Sequence, residues 1–307
     1  MFLLFLTAVI WGLAFVAQSE GMKDVGTFTF SAVRAVLAVI FLSILSIVTD
    51  RMKAKSGTSL NDGGAKKYNV KALVTGGILC GTALFIGTVT QQTGLLYTTV
   101  GKSGFITATY MIMVPIFSIF LKKKVTPLLW ISVLIALGGM YMLCISDAVA
   151  VNKGDLFTLA CAVAFSFHII FIDKYSPQTD SIKLSCVQFA VCAVISTVFM
   201  LIFEKPTLEQ LRAAAIPIAY AGIMSSGVAF TLQIAAQKNV SPVVATLVMS
   251  LESVFAAIFG WIILEQGLSG KEIFGCILVF AAIILSQLPI ASLGKKSKSA
   301  DGGALGA

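Results

Sequence analysis

The chain has 307 residues, 58% of them hydrophobic and 12% charged, with a mean hydropathy of +0.96, whereas a soluble globular domain carries about 25% charged residues. A soluble domain and a disordered chain are excluded by these figures, and 26 Gly, 7 Pro and 6 Cys exclude a collagen or a disulfide scaffold. The apolar runs are continuous instead of alternating, which excludes a transmembrane β-barrel and leaves an all-α membrane protein.

Ten stretches of spanning length, at roughly 20 residues each, are predicted in chain order: Phe2 to Gln18, Thr27 to Val48, Ala72 to Gln91, Ser103 to Leu121, Pro127 to Ile145, Asp155 to Ile172, Leu184 to Phe203, Ala213 to Ala236, Pro242 to Leu264 and Ile273 to Pro289. The first lacks a basic start and an Ala-x-Ala site, so it is expected to be a retained helix and not a cleaved signal peptide. The net charge of +8 resides in loops and points to orientation in a membrane, with no nucleic-acid partner expected. Arg51, Lys53, Lys55, Lys66, Lys67, Lys71, Lys122, Lys123, Lys124, Lys174, Lys183, Lys238, Lys295, Lys296 and Lys298 fall on one side. The other side holds Lys23, Lys102, Lys153, Lys205, Arg212 and Lys271. Basic residues accumulate on the cytoplasmic face, so both termini are expected there, in a multi-pass protein of the cell membrane. Ser56 to Ala65 reads as a flexible cytoplasmic loop and residues 291–307 as a disordered tail.

Cys80, Cys144, Cys161, Cys186, Cys192 and Cys276 lie inside apolar stretches without a CxxC pair and read as small buried hydrophobes. With one histidine in the chain, no metal site and no cofactor are expected.

The chain can be laid on itself. Gly87 to Val100 aligns with Gly227 to Val240, matching Gly87 to Gly227 and Val100 to Val240, and each half closes with a helix, a short turn around Lys124 to Trp130 or Gln266 to Glu272, and a last helix. Five spans is an odd number, so the second half enters the membrane in the opposite sense. The predicted fold is therefore two inverted five-helix repeats, at 1–146 (with a basic loop at 49–71) and 154–290. Inverted repeats place a binding site near the midplane at their interface and reach it from alternate sides by rocking.

Trp11-Gly12, Phe30-Ser-Ala-Val-Arg34-Ala-Val-Leu-Ala38, Val114-Pro115-Ile-Phe117 and Leu251-Glu252-Ser-Val-Phe255 with Leu264-Glu265 resemble the EamA family of the drug/metabolite transporter superfamily. The resemblance covers about residues 2 to 290. It implies ten helices, a central cavity bounded by helices 1 to 4 and 6 to 9 with helices 5 and 10 peripheral, and secondary transport, often export, of small metabolites. The chain departs from the family at Ser253, where proline is frequent, and at Lys124, where an acidic residue often closes helix 4.

Ionisable side chains at membrane depth are costly and usually face a bundle interior or an aqueous cavity. Glu252 lies near the middle of its span, on a face with Ala245, Val248, Met249 and Ala256. It reads as a proton-binding carboxylate, a counter-ion for a cationic substrate group, or a packing carboxyl hydrogen-bonded between helices. Arg34 reads either as a fork for a substrate carboxylate or phosphate or as a structural bond to helix-end carbonyls. His168, flanked by Phe165, Phe167 and Phe171, reads as a proton relay or a packing residue. Helical spacing puts Thr7, Trp11, Ala14 and Gln18 on one face, Ser226, Phe230, Gln233 and Gln237 on another, and Ser185, Gln188, Cys192 and Ser196 on a third. With Tyr110, Gln91 and Gln92 these stripes line a cavity or glue helices together. The candidate substrate-binding set is thus Trp11, Gln18, Arg34, Gln91, Gln92, Tyr110, His168, Gln188, Gln233, Gln237 and Glu252, with Glu252 and His168 as proton-coupling groups. Gly77 to Gly81, Gly222 to Ser226 and Ala256 to Gly260 are small-residue pairs for close packing, inside a monomer or across a homodimer.

The functional expectation is a secondary active transporter and not an enzyme. It moves a small polar or amphipathic metabolite such as an amino acid or nucleoside, as an exporter, by alternating access, with protons as the coupling ion. Its partners are that small molecule and the lipid bilayer. A channel or a non-transporting scaffold is the alternative. An intramembrane enzyme lacks motif support, with no HExxH and no Gly-x-Ser-x-Gly present.

Overall fold

The computed structural model describes residues 1–55, 69–98, 100–122, 125–144, 152–264 and 269–286. The expectations for Ser56 to Ala65, Lys66, Lys67, Lys123, Lys124, Glu265 and the tail fall outside these residues. The described elements are helices: α1 (Phe2–Gly21), α2 (Thr27–Lys55), α3 (Val70–Leu95), α4 (Val100–Thr107), α5 (Tyr110–Phe120), α6 (Pro127–Cys144), α7 (Lys153–Tyr175), α8 (Ser181–Phe203), α9 (Leu208–Ala213), α10 (Ala215–Ala219), a π-helix (Tyr220–Ala229), α11 (Phe230–Gln237), α12 (Pro242–Met249), α13 (Leu251–Leu264) and α14 (Gly270–Ser286). Among the described residues, eight helical segments are long and apolar enough to cross a membrane, with α4–α5, α10–α11 and α12–α13 each counted as one. At the fifth and tenth predicted spans stand α6, of 18 residues, and α14, of 17.

Local chemistry explains where the helices start. Asn152 and Asp155 form a reciprocal capping box on α7, and Asp180 Oδ1 accepts from the first free amides of α8. The cap of α2 comes from a distant helix end: Glu204, just past α8, accepts from Phe28 N at 3.0 Å and from Thr29 N at 2.7 Å. At the opposite end of the same pair, Asp180 and Lys183 meet Lys53 and Asp50 at 3.6 and 2.9 Å. Helices α2 and α8 therefore run antiparallel and are tied at both ends.

Packing separates a protein-facing from a lipid-facing stripe on each helix. On α2, Ala35, Ala38 and Leu42 are buried against α8 while Val36, Ile40, Ile44 and Ile47 are exposed. Such a surface is a liability in water and the natural exterior in a bilayer. Small residues set the closest approaches. A Cβ on Gly77 or Gly81 would collide with Val187 or Val191 of α8, one on Gly222 with Leu37 of α2, and one on Gly139 with Gly275 of α14. These small faces serve packing within the chain.

Three long segments are interrupted in the membrane region. The α4–α5 segment breaks at Ala108–Thr109, where the Thr109 hydroxyl donates back to Ile106 O at 2.6 Å; the α12–α13 segment breaks at Ser250, where the Ser250 hydroxyl donates to Leu247 O at 2.7 Å. Hydroxyls that return to the preceding turn compete with the helical ladder and bend it. The second break thus lies at Ser250, one turn before Ser253. The third interruption is the π-helix, which follows Pro217, a residue without an N–H to donate.

Candidate functional site

The interrupted helices converge on an internal cavity. Its wall is formed by Trp11, Ala14, Phe15 and Gln18 from α1, Arg34 from α2, Thr88 and Gln91 from α3, Tyr110 from α5, and Phe165, His168 and Ile169 from α7. Ser225 of the π-helix, Phe230 and Gln233 of α11, Met249 of α12 and Glu252 of α13 complete it. The space open to the centres of water-sized molecules is about 50 Å³, room for about three to five waters at 10–15 Å³ each. Both halves of the sequence contribute, and α6 and α14 pack against each other with no residue on the wall.

One pole is cationic. Arg34, 4% exposed, donates from Nε to Ser226 Oγ at 3.1 Å, from one terminal nitrogen to Gln18 Oε1 at 3.2 Å and from the other to Ser225 Oγ at 3.3 Å. Gln18 Oε1 also accepts from Gln92 Nε2 at 3.4 Å, and Gln92 Oε1 accepts from Ser31 Oγ at 2.7 Å. Among the described residues no carboxylate lies within ion-pair distance of Arg34. The other pole is acidic: Glu252, 6% exposed, accepts from the Tyr110 hydroxyl at 3.1 Å.

Aromatic and amide groups make up much of the remaining wall. The Trp11 and Phe230 ring centroids are 4.7 Å apart, and His168 meets Phe230 edge-on at 5.7 Å. The His168 Nε2 donates to Gln188 Oε1 at 3.0 Å, which leaves Nδ1 as an acceptor. A short amide relay fixes Gln233: Gln237 Nε2 donates to Ile169 O at 3.3 Å, and Gln237 Oε1 accepts from Gln233 Nε2 at 3.0 Å. The Gln233 Oε1 and the Trp11 indole N–H are buried without a hydrogen-bond partner. Buried polar groups are rarely left unpaired, so an orphan acceptor and an orphan donor on one wall are suited to a polar ligand.

Of the residues singled out by sequence, Trp11, Gln18, Arg34, Gln91, Tyr110, His168, Gln233 and Glu252 share this wall. Gln92, Gln188 and Gln237 stand one layer behind, each bonded to a wall residue. The α8 stripe of Ser185, Gln188, Cys192 and Ser196 does not reach the cavity, because α8 packs against α2 and α3, and only Gln188 touches it, through His168. Thr7 leaves its predicted stripe to bond Leu3 O and Ala229 O at 2.9 and 3.2 Å. The α-helical spacing through Ser226 places that residue on the wall, but the wider π turn brings Ser225 there and sets Ser226 behind Arg34. Phe15, Thr88, Ile169 and Ser225 were missed. The first three are ordinary residues of an apolar helix, and the fourth needed a π turn that no residue pattern announced.

Comparison with known proteins agrees with this architecture. The model of the EamA-like transporter family matches residues 1–145 and again 152–288. An uncharacterized transporter of Archaeoglobus fulgidus is 29% identical over 286 residues, covering 93% of this chain and 84% of its own. The uncharacterized transporter YoaV of Bacillus subtilis is 22% identical over 284 residues, covering 91% and 93%. A protein crystal structure superposes with a TM-score of 0.74 at 17% identity over 95% of this chain and 97% of the other, a likeness of fold.

Proposed function

The chain belongs to the EamA-like transporter family, a multi-pass membrane transporter, and from that premise we propose that it is a secondary active transporter built from two inverted five-helix repeats. It carries a small polar or amphipathic metabolite outward across the cell membrane by alternating access, with both termini cytoplasmic. The observation that carries this reading is the cavity itself: a buried polar chamber walled by both halves and centred on interrupted helices, which is where inverted-repeat transporters hold their cargo.

Several features support the repeat. The family model matches each half separately. The antiparallel pairing of α2 with α8 and the packing of α6 on α14 join the second and fifth helices of one half to the same helices of the other. Glycines bring α3 onto α8 and the π-helix onto α2, the matching contacts of an inverted pair. The orientation is supported by where the basic residues gather: Lys53, Lys183 and Lys238 meet the turn of Thr179 and Asp180 at one end of the bundle.

Glu252 is the proton-coupling group, with His168 second, because both combine a titratable group with a place on the cavity wall. The test is counterflow in liposomes containing the purified protein. Saturable exchange of a labelled metabolite, accelerated by a pH gradient, is the expected result. Ohmic single-channel currents without saturation would replace the carrier by a channel.

A further inference from the structure

Arg34 and Gln233 together define what the cargo must look like, and the inference rests on the transporter reading above. A guanidinium has five N–H donors. Ser226, Gln18 and Ser225 take three, one from each nitrogen, which leaves one donor on each terminal nitrogen. Two N–H groups on the paired ends of a planar fork match the two oxygens of a carboxylate. The three partners are all neutral, so the guanidinium charge is uncompensated on a buried wall.

The charge count separates a carboxylate from a phosphate. Among the described residues Arg34 is the single Lys or Arg on a wall that also carries the Glu252 carboxyl, so the wall supplies at most one positive charge. One cation with two free donors balances a monoanion, whereas a phosphate monoester brings about 1.5 to 2 negative charges and three acceptor oxygens.

Gln233 and Trp11 specify the rest. Ile169 O can only accept, so Gln237 must present its amide nitrogen there and its oxygen to Gln233. That fixes the Gln233 amide with one Nε2 hydrogen committed to Gln237 and Oε1 bare, at a residue only 1% exposed. A ligand must bring an N–H or O–H to it. The Trp11 indole N–H asks for an acceptor, and the Trp11 and Phe230 rings give the body an apolar face. A chamber of about 50 Å³ favours a short acid over a bulkier metabolite.

We propose that Arg34 is an anion subsite for a small monocarboxylate whose remaining polar group is a hydrogen-bond donor held by Gln233 Oε1, as in a short 2-hydroxy acid. The substrate enters as one charge neutralising another, and a carboxamide or an ester offers the fork a neutral carbonyl oxygen in place of a charged pair.

Four probes test this on the full chain purified in detergent: racemic lactate, lactamide, propionate and inorganic phosphate. Trp130→Phe with Trp261→Phe leaves Trp11 as the one remaining tryptophan of the three, so its fluorescence reports on the wall. Lactate should change that signal saturably. Propionate, which lacks the donor, should bind about tenfold more weakly, the value of one lost hydrogen bond of about 1.4 kcal/mol. Lactamide and phosphate should give no saturable response. Arg34→Lys keeps the charge and loses the fork, and should weaken lactate by about tenfold or more. Equal binding of lactamide or phosphate, no response to lactate, or an Arg34→Lys protein with unchanged affinity overturns the proposal. If any variant fails to fold, ligand-induced thermal stabilisation of the wild-type chain by the same four probes decides it. Lactate binding without counterflow would remove the transport reading and keep the subsite; counterflow of some other metabolite with no lactate binding would do the reverse.

Discussion

The Tyr110 hydroxyl donates to Glu252 at 3.1 Å across 142 residues of sequence, and each partner stands just past a break in its own helix. Thr109 bends the first helix and Ser250 the second, in both cases with a hydroxyl returned to the carbonyl three residues earlier. The same local device therefore delivers both ends of one hydrogen bond, and that bond joins the two halves of the protein at the cavity.

If Glu252 couples flux to protons, Glu252→Gln should leave counterflow in place while removing its acceleration by a pH gradient. His168→Gln should keep part of that acceleration, because Glu252 remains. Flux measured in liposomes across a range of external pH separates the two, and a Glu252→Gln protein with the wild-type pH profile removes this residue from the coupling role.

Tyr110→Phe deletes the donor and leaves a buried carboxyl oxygen unpaired, at a cost of about 1–3 kcal/mol. The apparent Tm in detergent should fall. An unchanged Tm would mean that the bond between the halves contributes nothing to the resting state.

Ser250→Ala removes the hydroxyl that competes with the ladder at the second break. Alanine favours a continuous helix, so Tm should hold or rise while flux falls, because Glu252 two residues later is turned from its place beside Tyr110. Wild-type flux in this variant would show that the break is incidental.

Adjacent glycines in α6 give a sharp contrast. A Cβ on Gly138 meets nothing within 4 Å, whereas one on Gly139 would lie 2.7 Å from Gly275 O. Gly138→Ala should be neutral or stabilising by about 0.5–1 kcal/mol. Gly139→Ala should destabilise by about 1–3 kcal/mol through overpacking against α14. Thermal unfolding of the two variants side by side is the measurement.

Glu204→Ala should unfasten the start of α2, which loses the acceptor of two backbone amides and the Thr29 hydroxyl. The expected loss is about 1–2 kcal/mol, the size of a helix cap, with Glu204→Gln recovering part of it in the same assay.

Much of this was readable because a membrane forces polar side chains to declare themselves. Arg34, His168, Glu252, Gln18 and Gln233 stand out against apolar neighbours, and each reached the cavity wall. Gln92, Gln188 and Gln237 were grouped with them since residue type says nothing about whether an amide faces the chamber or braces the residue that does. The α8 stripe misled for a related reason: a polar face on a helix is equally served by a second helix, and α8 uses its face for packing. The breaks at Thr109 and Ser250 escaped notice because Thr and Ser occur throughout these spans, and only their bonds to Ile106 and Leu247 distinguish them.

The π-helix at Tyr220–Ala229 carries a consequence for insertions and deletions. Every α-helical residue advances the side-chain direction by about 100°, and the wider turn changes the phase at which α11 emerges. Phe230 and Gln233 reach the wall, and Gln237 meets Ile169, at the phase this stretch sets. Losing one residue anywhere within it would swing all three out of alignment without altering a single one of them. A relative whose alignment gains or drops a position here would keep the same amides and present a different chamber, so in this helix the number of residues is as much a specificity determinant as their kind.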